Sequence, residues 1–395
     1  MNTTSKRTQS NFIIWRVIFD SVSFLSEEIN KKRIDFLSSA NGNTKRQPRS
    51  NECLNAISHY LPLAIGSLYI KKYFNEDAKN NVTEMVNAII NQFKKTLETV
   101  DWMDEVTRKH ALKKADSMVT DIAYNDGLLD EKKIETIYEN FEFDINDSYL
   151  QTILNLGSYM NEINREKFRT HFNKSDWVLY LNPTAVNAFN LFHYNIIQFP
   201  AAILQGSFFN NDRPRYINYG AVGFLIGHEI THGFDTIGKR FYEDGNLLKW
   251  WEASTDDKFW DKALCFYEQY QNYVVNEVGM NVNGLKTITE NIADNGGLKT
   301  TYLAYKSWAE SQNVSEPRLP GLDHYTPTQM FWISASHTWC TAQRPEVLKI
   351  QIISDNHSPA EFRVIGAFSN IKEFSDDFKC PVGSPMNPRS KCSMW

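Results

Sequence analysis

The sequence predicts a mainly helical protein of the α+β class, built from two regions. Apolar residues recur with a helical period through the first 173 residues, short β-rich runs begin near residue 177, and helical patterns return from residue 221. With 395 residues, the chain is longer than most single domains and can bury a large core. We therefore expect a helical region over residues 1–173 and a second region over residues 174–395.

In the first region, the segment from residue 80 to residue 100 shows the clearest helical pattern. Seven apolar residues recur there with a 3.6-residue period, namely Val82, Met85, Val86, Ile89, Ile90, Phe93 and Leu97. Weaker patterns predict helices at residues 12–25, 53–74, 106–119 and 149–172. The polar residues 38–52 predict a surface loop. None of these helices carries a recognisable catalytic grouping, so we expect them to be a packing scaffold.

The second region begins with runs that are typical of strands, at residues 177–181, 185–190 and 194–199. The run around Asn187-Ala188-Phe189 is expected to be an ordinary sheet strand, but it could also offer its backbone to an extended peptide. The patterns that follow predict helices at residues 221–235, 250–275, 288–308 and 326–341, and a coil from residue 379.

Composition and charge limit the class of partner. Hydrophobic residues make up 42% of the chain and aromatic residues 13%, as expected for a globular protein. The net charge of −5 gives no electrostatic reason to expect nucleic acid or an anionic membrane as partner. The apolar run at residues 12–19 is too short and too charged for a signal peptide, and no longer run predicts a membrane-spanning segment. Peptides or other small ligands fit better.

A His-Glu-x-x-His string, His228-Glu229-Ile-Thr-His232, lies in the predicted helix over residues 221–235. Residues four apart on an α-helix lie about 40° apart around its axis, so both imidazoles can reach one ion. Glu229 faces the neighbouring sector, beside that ion. The string is typical of a zinc-binding helix, although it also occurs by chance in about one chain in a hundred of this length.

Catalytic zinc takes three protein ligands and a water, so two histidines are an incomplete set. Glu290 is the best downstream candidate, because it shares a predicted helix face with Asp294. One carboxylate can bind the ion while the other accepts a hydrogen bond from a ligand imidazole. The alternative, an exposed acidic helix start, stays open from these residues alone. Glu229 is then expected to be the general base that activates a zinc-bound water.

Attack by that water creates an oxyanion, which needs a donor in addition to zinc. The chain has nine histidines, so seven remain beside His228 and His232. His357 lies in a turn-forming context and is followed by Arg363. This pair could supply an oxyanion donor and a clamp for a substrate carbonyl, but the residues alone do not distinguish His357 from the other six.

Eight segments of the chain coincide with motifs of one protein family. They are Val186–Phe189, Phe199–Gln205, Gly227–Asp235, Glu290–Gly297, Leu319–Leu322, Arg344–Glu346, His357–Pro359 and Cys392–Trp395. With these motifs the chain resembles the neprilysin and endothelin-converting-enzyme family of zinc endopeptidases. The resemblance implies a thermolysin-like catalytic region preceded by a helical lid region.

The resemblance also implies roles for individual residues. It implies one zinc ion per chain, bound by His228, His232 and Glu290, with Glu229 as general base. It implies that Asp294 orients a ligand histidine, that His357 stabilises the transition state and that Arg363 binds a substrate carbonyl. It also implies that Asn187 and Ala188 align the peptide backbone. The expected activity is hydrolysis of oligopeptides on the amino side of hydrophobic residues.

A hydrophobic pocket for such substrates is expected near the predicted zinc helix. Phe224 and Leu225 lie one helical turn before His228, on the zinc side. Further pocket positions of the family match Phe208, Thr338 and Trp339. Because one methylene contributes only about 1–3 kcal/mol, we expect a broad hydrophobic preference. The alternative is that these residues are ordinary core.

The resemblance covers only the later half of a family member. It therefore leads us to expect a chain that lacks the membrane anchor and part of the lid, although it implies an extracellular or cell-surface location. It implies a disulfide between Cys265 and Cys392, and it leaves Cys53, Cys340 and Cys380 without partners in this chain. Since losing a disulfide costs about 2–5 kcal/mol in small domains, a truncated, weakly active or inactive binding form is the competing hypothesis.

Overall fold

The structure is a computed structural model that describes residues 3–43, 45–168, 182–312 and 316–395. Helices dominate these residues and strands are few, which confirms the mainly helical prediction. The strand predicted at residues 177–181 lies outside the described residues. The chain divides into two compact units, one formed by Met1–Ile65 and Asp130–Ser175 and the other by Gly66–Leu129 and Asp176–Trp395. The boundary expected at residue 173 stays a prediction.

Eight helices precede residue 169 in the described part of the chain. They are α1 (Lys6–Ser21), α2 (Glu27–Asn41), α3 (Arg49–Tyr60), α4 (Pro62–Tyr73), α5 (Glu76–Thr99), α6 (Glu105–Asp116), α7 (Glu131–Tyr138) and α8 (Tyr149–Lys167). The surface loop expected at residues 38–52 is shorter than predicted, because α2 continues to Asn41 and α3 begins at Arg49. The apolar stripe of α5 is buried as predicted, apart from the partly exposed Ile90.

Eight further helices follow residue 210. They are α9 (Arg215–Asn218), α10 (Phe224–His232), α11 (Ala253–Gln271), α12 (Gly284–Ser311), α13 (Pro327–His337), α14 (Pro345–Ser354), α15 (Ala360–Asn370) and α16 (Lys372–Asp377). Within the described ranges no single helix is long and apolar enough to cross a membrane, although α3 and α4 together, bent by 110°, meet that length and composition test.

A small sheet lies beside α10. Its strands are β1 (Val119–Ala123), β2 (Phe189–Leu191) and β3 (Ile196–Pro200), in the order β1-β3-β2. β1 pairs parallel with β3 and β2 pairs antiparallel with it, which leaves β2 at an edge. The strand predicted at residues 185–190 is therefore wrong over its first four residues, because Asn187 and Ala188 precede β2. A second hairpin joins β4 (Val274–Val275) to β5 (Met280–Asn281).

The core behind α10 is aromatic. Phe93 of α5 packs against Phe234 and Trp395, with ring centroids 5.0 and 5.8 Å apart. The predicted disulfide between Cys265 and Cys392 is present and ties α11 to the segment that carries Trp395. Cys53, Cys340 and Cys380 form no disulfide within the described residues. Phe234 lies two residues after the end of α10, so these contacts hold the end of that helix in the core.

Two glycines allow α10 and α12 to cross at close distance. A Cβ atom on Gly227 of α10 would lie 2.4 Å from the carbonyl oxygen of Gly297 of α12. A Cβ on Gly297 would lie 2.3 Å from the backbone nitrogen of His228. Neither backbone can yield to such contacts without moving a helix, so this pair of glycines fixes the distance between the two helices.

We predict that Gly297→Ala lowers the free energy of unfolding by about 2 kcal/mol or more, because overpacking forces the helices apart. The control is Gly157→Ala in α8, where a Cβ would meet its nearest neighbour, Tyr60, at 3.9 Å. That variant should be neutral or stabilising by about 0.5–1 kcal/mol. Urea denaturation followed by circular dichroism measures both, and wild-type stability of Gly297→Ala would contradict the prediction.

Candidate functional site

The candidate site begins on α10, which continues from a single π turn at Tyr219–Gly223. His228 and His232 project from one face of α10, with ring centroids 4.4 Å apart. Both histidines and Glu229 are buried, with 4–8% of each residue exposed. The helix ends at Gly233, whose N–H bonds to the carbonyl of Ile230. Helical spacing thus places the three motif side chains together, as the sequence predicts.

α12 brings Glu290 to the two histidines. Its Oε2 atom lies 3.2 Å from Nε2 of His228 and 3.3 Å from Nε2 of His232. Nε2 of His357 lies 3.2 Å from the same oxygen. The side chain of Glu290 is only 13% exposed. The alternative of an exposed acidic helix start is therefore wrong.

Each of these three histidines is oriented by a second carboxylate. Nδ1 of His228 lies 2.9 Å from Oδ1 of Asp294, and Nδ1 of His232 lies 2.6 Å from Oδ2 of Asp235. Nδ1 of His357 lies 2.8 Å from Oδ1 of Asp355. An ionised carboxylate only accepts hydrogen bonds, so each Nδ1 carries the proton and donates it.

This arrangement leaves the Nε2 atoms of the neutral rings as acceptors that face another acceptor. Oε2 of Glu290 is buried and has no hydrogen-bond partner among the described residues that meets normal geometry. Lone pairs from three imidazoles and a carboxylate repel one another unless positive charge lies between them. The array therefore takes up positive charge, either as protons on the imidazoles or as a metal ion.

The donor set fits a metal ion such as zinc. In a tetrahedral zinc site with bonds of about 2.0–2.1 Å, neighbouring ligand atoms lie about 3.3 Å apart. The two distances from Glu290 to the α10 histidines, 3.2 and 3.3 Å, match that edge length. Ligand atoms of His228, Glu229 and His232 also lie within 4.8 Å of one another. Glu290 is the better third ligand, because its oxygen is close to both imidazoles.

The charges at the site shift several pKa values. Burial would raise the pKa of Glu290, but when the imidazoles of His228, His232 and His357 are protonated, their Nε2–H groups lower it well below its usual range. Burial disfavours protonated His232, yet its bonds to Asp235 and Glu290 raise its pKa well above the ordinary value. Burial raises the pKa of Glu229, against the attraction of the two α10 histidines.

Arg363 of α15 secures Asp294 beneath the site. Its Nε and Nη2 atoms donate to the two oxygens of Asp294 at 2.8 and 2.6 Å, while its guanidinium stacks 3.8 Å above the ring centre of Trp339. Asp294 is fully buried and Arg363 is 7% exposed. Burial would raise the pKa of Asp294, but Arg363 and His228 lower it, so the carboxylate stays ionised.

The residues expected to bind substrate lie on α10 itself, beside the π turn that precedes it, and next to strand β2. Phe224 is fully buried and packs edge-on against Trp339 at 5.9 Å, whereas Leu225 is partly exposed. The carbonyl of Phe208 accepts a hydrogen bond from Val222, which places Phe208 beside the π turn. Asn187 is exposed and Ala188 is buried, just before β2.

Sequence reasoning missed Asp235 and Asp355. Asp235 lies three residues after His232 and Asp355 two residues before His357, so proximity in sequence was the available signal. It also missed Asn190 of β2, whose side-chain amide donates to the carbonyl of Glu229 at 2.7 Å. That carbonyl would otherwise lack a partner at the helix end, because the N–H of Gly233 bonds to Ile230 instead.

Comparison with family models gives two matches, both described as peptidase family M13. The first covers residues 187–394, which include α10, α12 and α15. The second is the model of the N-terminal part of that family and covers residues 1–125.

Curated relatives match the chain along its whole length. Neprilysin-2 of Drosophila melanogaster is 45% identical over 403 residues, which are 99% of this chain and 52% of that protein. Endothelin-converting enzyme 1 of Homo sapiens is 38% identical over 396 residues, which are 100% of this chain and 50% of that protein. The chain thus spans about half the length of these relatives.

Solved structures share the fold. The zinc metalloprotease Zmp1 of Mycobacterium tuberculosis, in complex with an inhibitor, superposes with a TM-score of 0.88 and 27% identity, covering 96% of this chain and 56% of that one. PepO of Lactobacillus rhamnosis superposes with a TM-score of 0.81 and 26% identity, covering 94% and 55%.

We predict that Arg363→Met lowers the free energy of unfolding by about 3–5 kcal/mol, because it leaves the charge of Asp294 buried without its main partner. Adding Asp294→Asn removes that charge, so the double variant should be less destabilised than the sum of the single variants. The control is Lys372→Met in the exposed pair with Asp376, which should cost less than about 1 kcal/mol. Additive urea-denaturation energies for Arg363→Met and Asp294→Asn would contradict the coupling.

Proposed function

Because the chain belongs to peptidase family M13, we propose that it is a zinc-dependent endopeptidase that hydrolyses oligopeptides on the amino side of hydrophobic residues. The observation that carries this proposal is the array of three imidazole Nε2 atoms around Oε2 of Glu290, with 3.2–3.3 Å between each nitrogen and the oxygen. The lone pairs of these nitrogen and oxygen atoms point at one another, so together they can coordinate a cation. Zinc metalloproteases with the same fold support the choice of zinc.

In this proposal His228, His232 and Glu290 bind the ion. Asp294 and Asp235 hold the two imidazoles in the tautomer whose Nε2 lone pair faces it. When bound, zinc supplies Lewis acidity, which makes a nearby water a stronger acid and polarises a peptide carbonyl.

Glu229 is proposed as the general base. It lies on α10 between the two histidines, and its burial raises its pKa above that of an exposed glutamate. A base with a higher proton affinity takes a proton from water more readily, and it can then return that proton to the departing amine. Asn190 fixes the backbone of Glu229 through its carbonyl, which keeps the carboxylate in place.

His357 and Arg363 are proposed to stabilise the charge that develops on the substrate carbonyl. The pKa of His357 is raised, chiefly by its hydrogen bond to Glu290, so its ring can carry the proton that an oxyanion needs. Arg363 uses Nε and Nη2 for Asp294, which leaves Nη1 available for a carbonyl of the peptide.

The edge strand β2 supports a binding mode for the peptide. Among the described strands, none pairs with its outer side, so an extended peptide can align there with the backbone at Asn187 and Ala188. A hydrophobic pocket is proposed at Trp339, with the fully buried Phe224 packed behind it. The residues that extend it are Leu225, Phe208 and Thr338.

An extracellular or cell-surface location is proposed as well. The disulfide between Cys265 and Cys392 is typical of an oxidising compartment. The curated relatives are neprilysins and endothelin-converting enzymes, which supports the same location.

We predict that the zinc-loaded chain cleaves an internally quenched peptide with a central Phe or Leu, and that chelation abolishes the cleavage. Glu229→Gln should bind zinc like the wild type but lose about a thousandfold or more in kcat, because the base is removed and the ligands are kept. Fluorescence measures cleavage, mass spectrometry locates the cleaved bond, and elemental analysis measures zinc.

The matched control is Glu252→Gln, a carboxylate at the N-terminus of α11 that makes no side-chain cap. It should cleave like the wild type. A folded, zinc-loaded wild type that cleaves no faster than Glu229→Gln would contradict the endopeptidase and favour the competing proposal, a form that binds peptides without cleaving them.

A further inference from the structure

Lys114 of α6 is a buried lysine that the mechanism above does not use. Only 2% of the residue is exposed. Its Nζ atom donates to the carbonyls of Gly233, Gly238 and Phe241, at 2.6, 2.7 and 2.7 Å. An ammonium group has three N–H donors, and here each one meets a backbone carbonyl. No carboxylate of the described residues forms an ion pair with Nζ.

All three carbonyls belong to the segment that directly follows α10, residues 233–241, which we call the post-helix loop. This loop carries Asp235, whose Oδ2 orients His232 and whose Oδ1 accepts from the backbone of Ile237 and Gly238 at 2.7 Å. Gly238 also lies against the end of α10, since a Cβ there would be 1.8 Å from the carbonyl oxygen of His232. The position of the loop thus sets the position of His232.

The three loop carbonyls and two aromatic rings stabilise a positive charge on Nζ, while burial opposes it. The rings of Phe234 and Trp250 lie with their centres 5.3 and 5.8 Å from Nζ. Burial lowers the pKa of Lys114 to about 7, while the negative charge of Asp235 opposes this shift. A buried charge is stable only where its hydrogen bonds are complete. Moving any of the three carbonyls away would leave a buried N–H of the ammonium without a partner, so the lysine restrains the position of the loop.

The base of Lys114 is fixed as well. Its own carbonyl accepts a hydrogen bond from the amide of Asn195 at 3.1 Å. α6 is capped by Asp104, which also bonds to Thr255 of α11. The lysine is therefore anchored to elements outside α10 and the post-helix loop, which is what a support for that loop requires.

We propose that Lys114 is a positioning residue of the metal site, which holds the post-helix loop so that Asp235 and the backbone of Gly238 fix the imidazole of His232. The inference rests on the proposed function, since it assumes that His232 binds zinc. Lys114 touches neither the ion nor the substrate and acts through Asp235.

The test is a zinc titration of the full chain against a competing chromophoric chelator, at a pH of about 6.5, below the pKa of Lys114. Lys114→Met keeps the length of the side chain and removes its donors. We expect zinc to bind about tenfold more weakly, the lower end of the effect of removing a group that orients a ligand. In an Asp235→Asn background, Lys114→Met should change zinc affinity less than twofold, because both act through one path.

The control is Lys239→Met, another buried lysine of the same loop, which bonds to Asp256 and to no loop carbonyl through Nζ. It should bind zinc within about twofold of the wild type. If Lys114→Met does not fold, Lys114→Gln, which keeps one donor group, is titrated in its place with the same expectations in both backgrounds.

Three results would overturn the proposal: wild-type affinity of the folded Lys114 variant, an equal loss in both backgrounds, or the same loss in Lys239→Met. A wild-type chain that binds no zinc would contradict the proposed function instead, so the two failures are distinguishable.

Discussion

Hydrogen bonds from Nδ1 of three imidazoles to three carboxylates are the interactions on which the site depends. Asp294, Asp235 and Asp355 each accept one of these bonds, at 2.6–2.9 Å. Because the proton is thereby fixed on Nδ1, the Nε2 atoms become acceptors. Their lone pairs face the carboxylate of Glu290, and a positive charge between them is needed to offset the repulsion. Without the carboxylates, each ring could turn or change tautomer, and its Nε2 lone pair would no longer be directed at the metal position.

A different structural contact positions each of these three carboxylates. Asp294 is carried by α12, whose distance from α10 is set by Gly227 and Gly297, and its charge is balanced by Arg363. Asp235 is carried by the post-helix loop, which bonds to Lys114. Asp355 accepts bonds from both the ring and the backbone of His357, which makes a local unit of that turn. Helix packing positions Asp294, a buried lysine positions the loop of Asp235, and a local turn positions Asp355, so that each carboxylate reaches its imidazole.

What could be predicted from the sequence was what depends on helical periodicity or on a family motif. The spacing of His228 and His232, the shared face of Glu290 and Asp294 and the buried stripe of α5 follow from 3.6 residues per turn. The pair Cys265–Cys392 followed from the resemblance and is present.

What could not be predicted depends on contacts between distant residues or on weak local patterns. Lys114 meets the post-helix loop across 119 residues of sequence, and nothing in its neighbours distinguishes it from an exposed lysine of α6. β1 was not predicted, and its first residue, Val119, was placed at the end of the helix expected over residues 106–119. Its pairing with β3 joins residues that are distant in sequence, such as Val119 and Ile196. α2 was not predicted, and its last residues overlap the loop expected over residues 38–52. Asn30 is the only buried residue of α2, so burial gives this helix no periodic apolar pattern.

The imidazoles of α10 and the carboxylate of α12 are proposed to form one zinc site. Anomalous X-ray diffraction at the zinc absorption edge, from crystals grown with one equivalent of zinc, tests it most directly. We predict a single strong peak bounded by Nε2 of His228, Nε2 of His232 and a carboxylate oxygen of Glu290. A peak bound by other residues, or no peak at these three, would contradict the account.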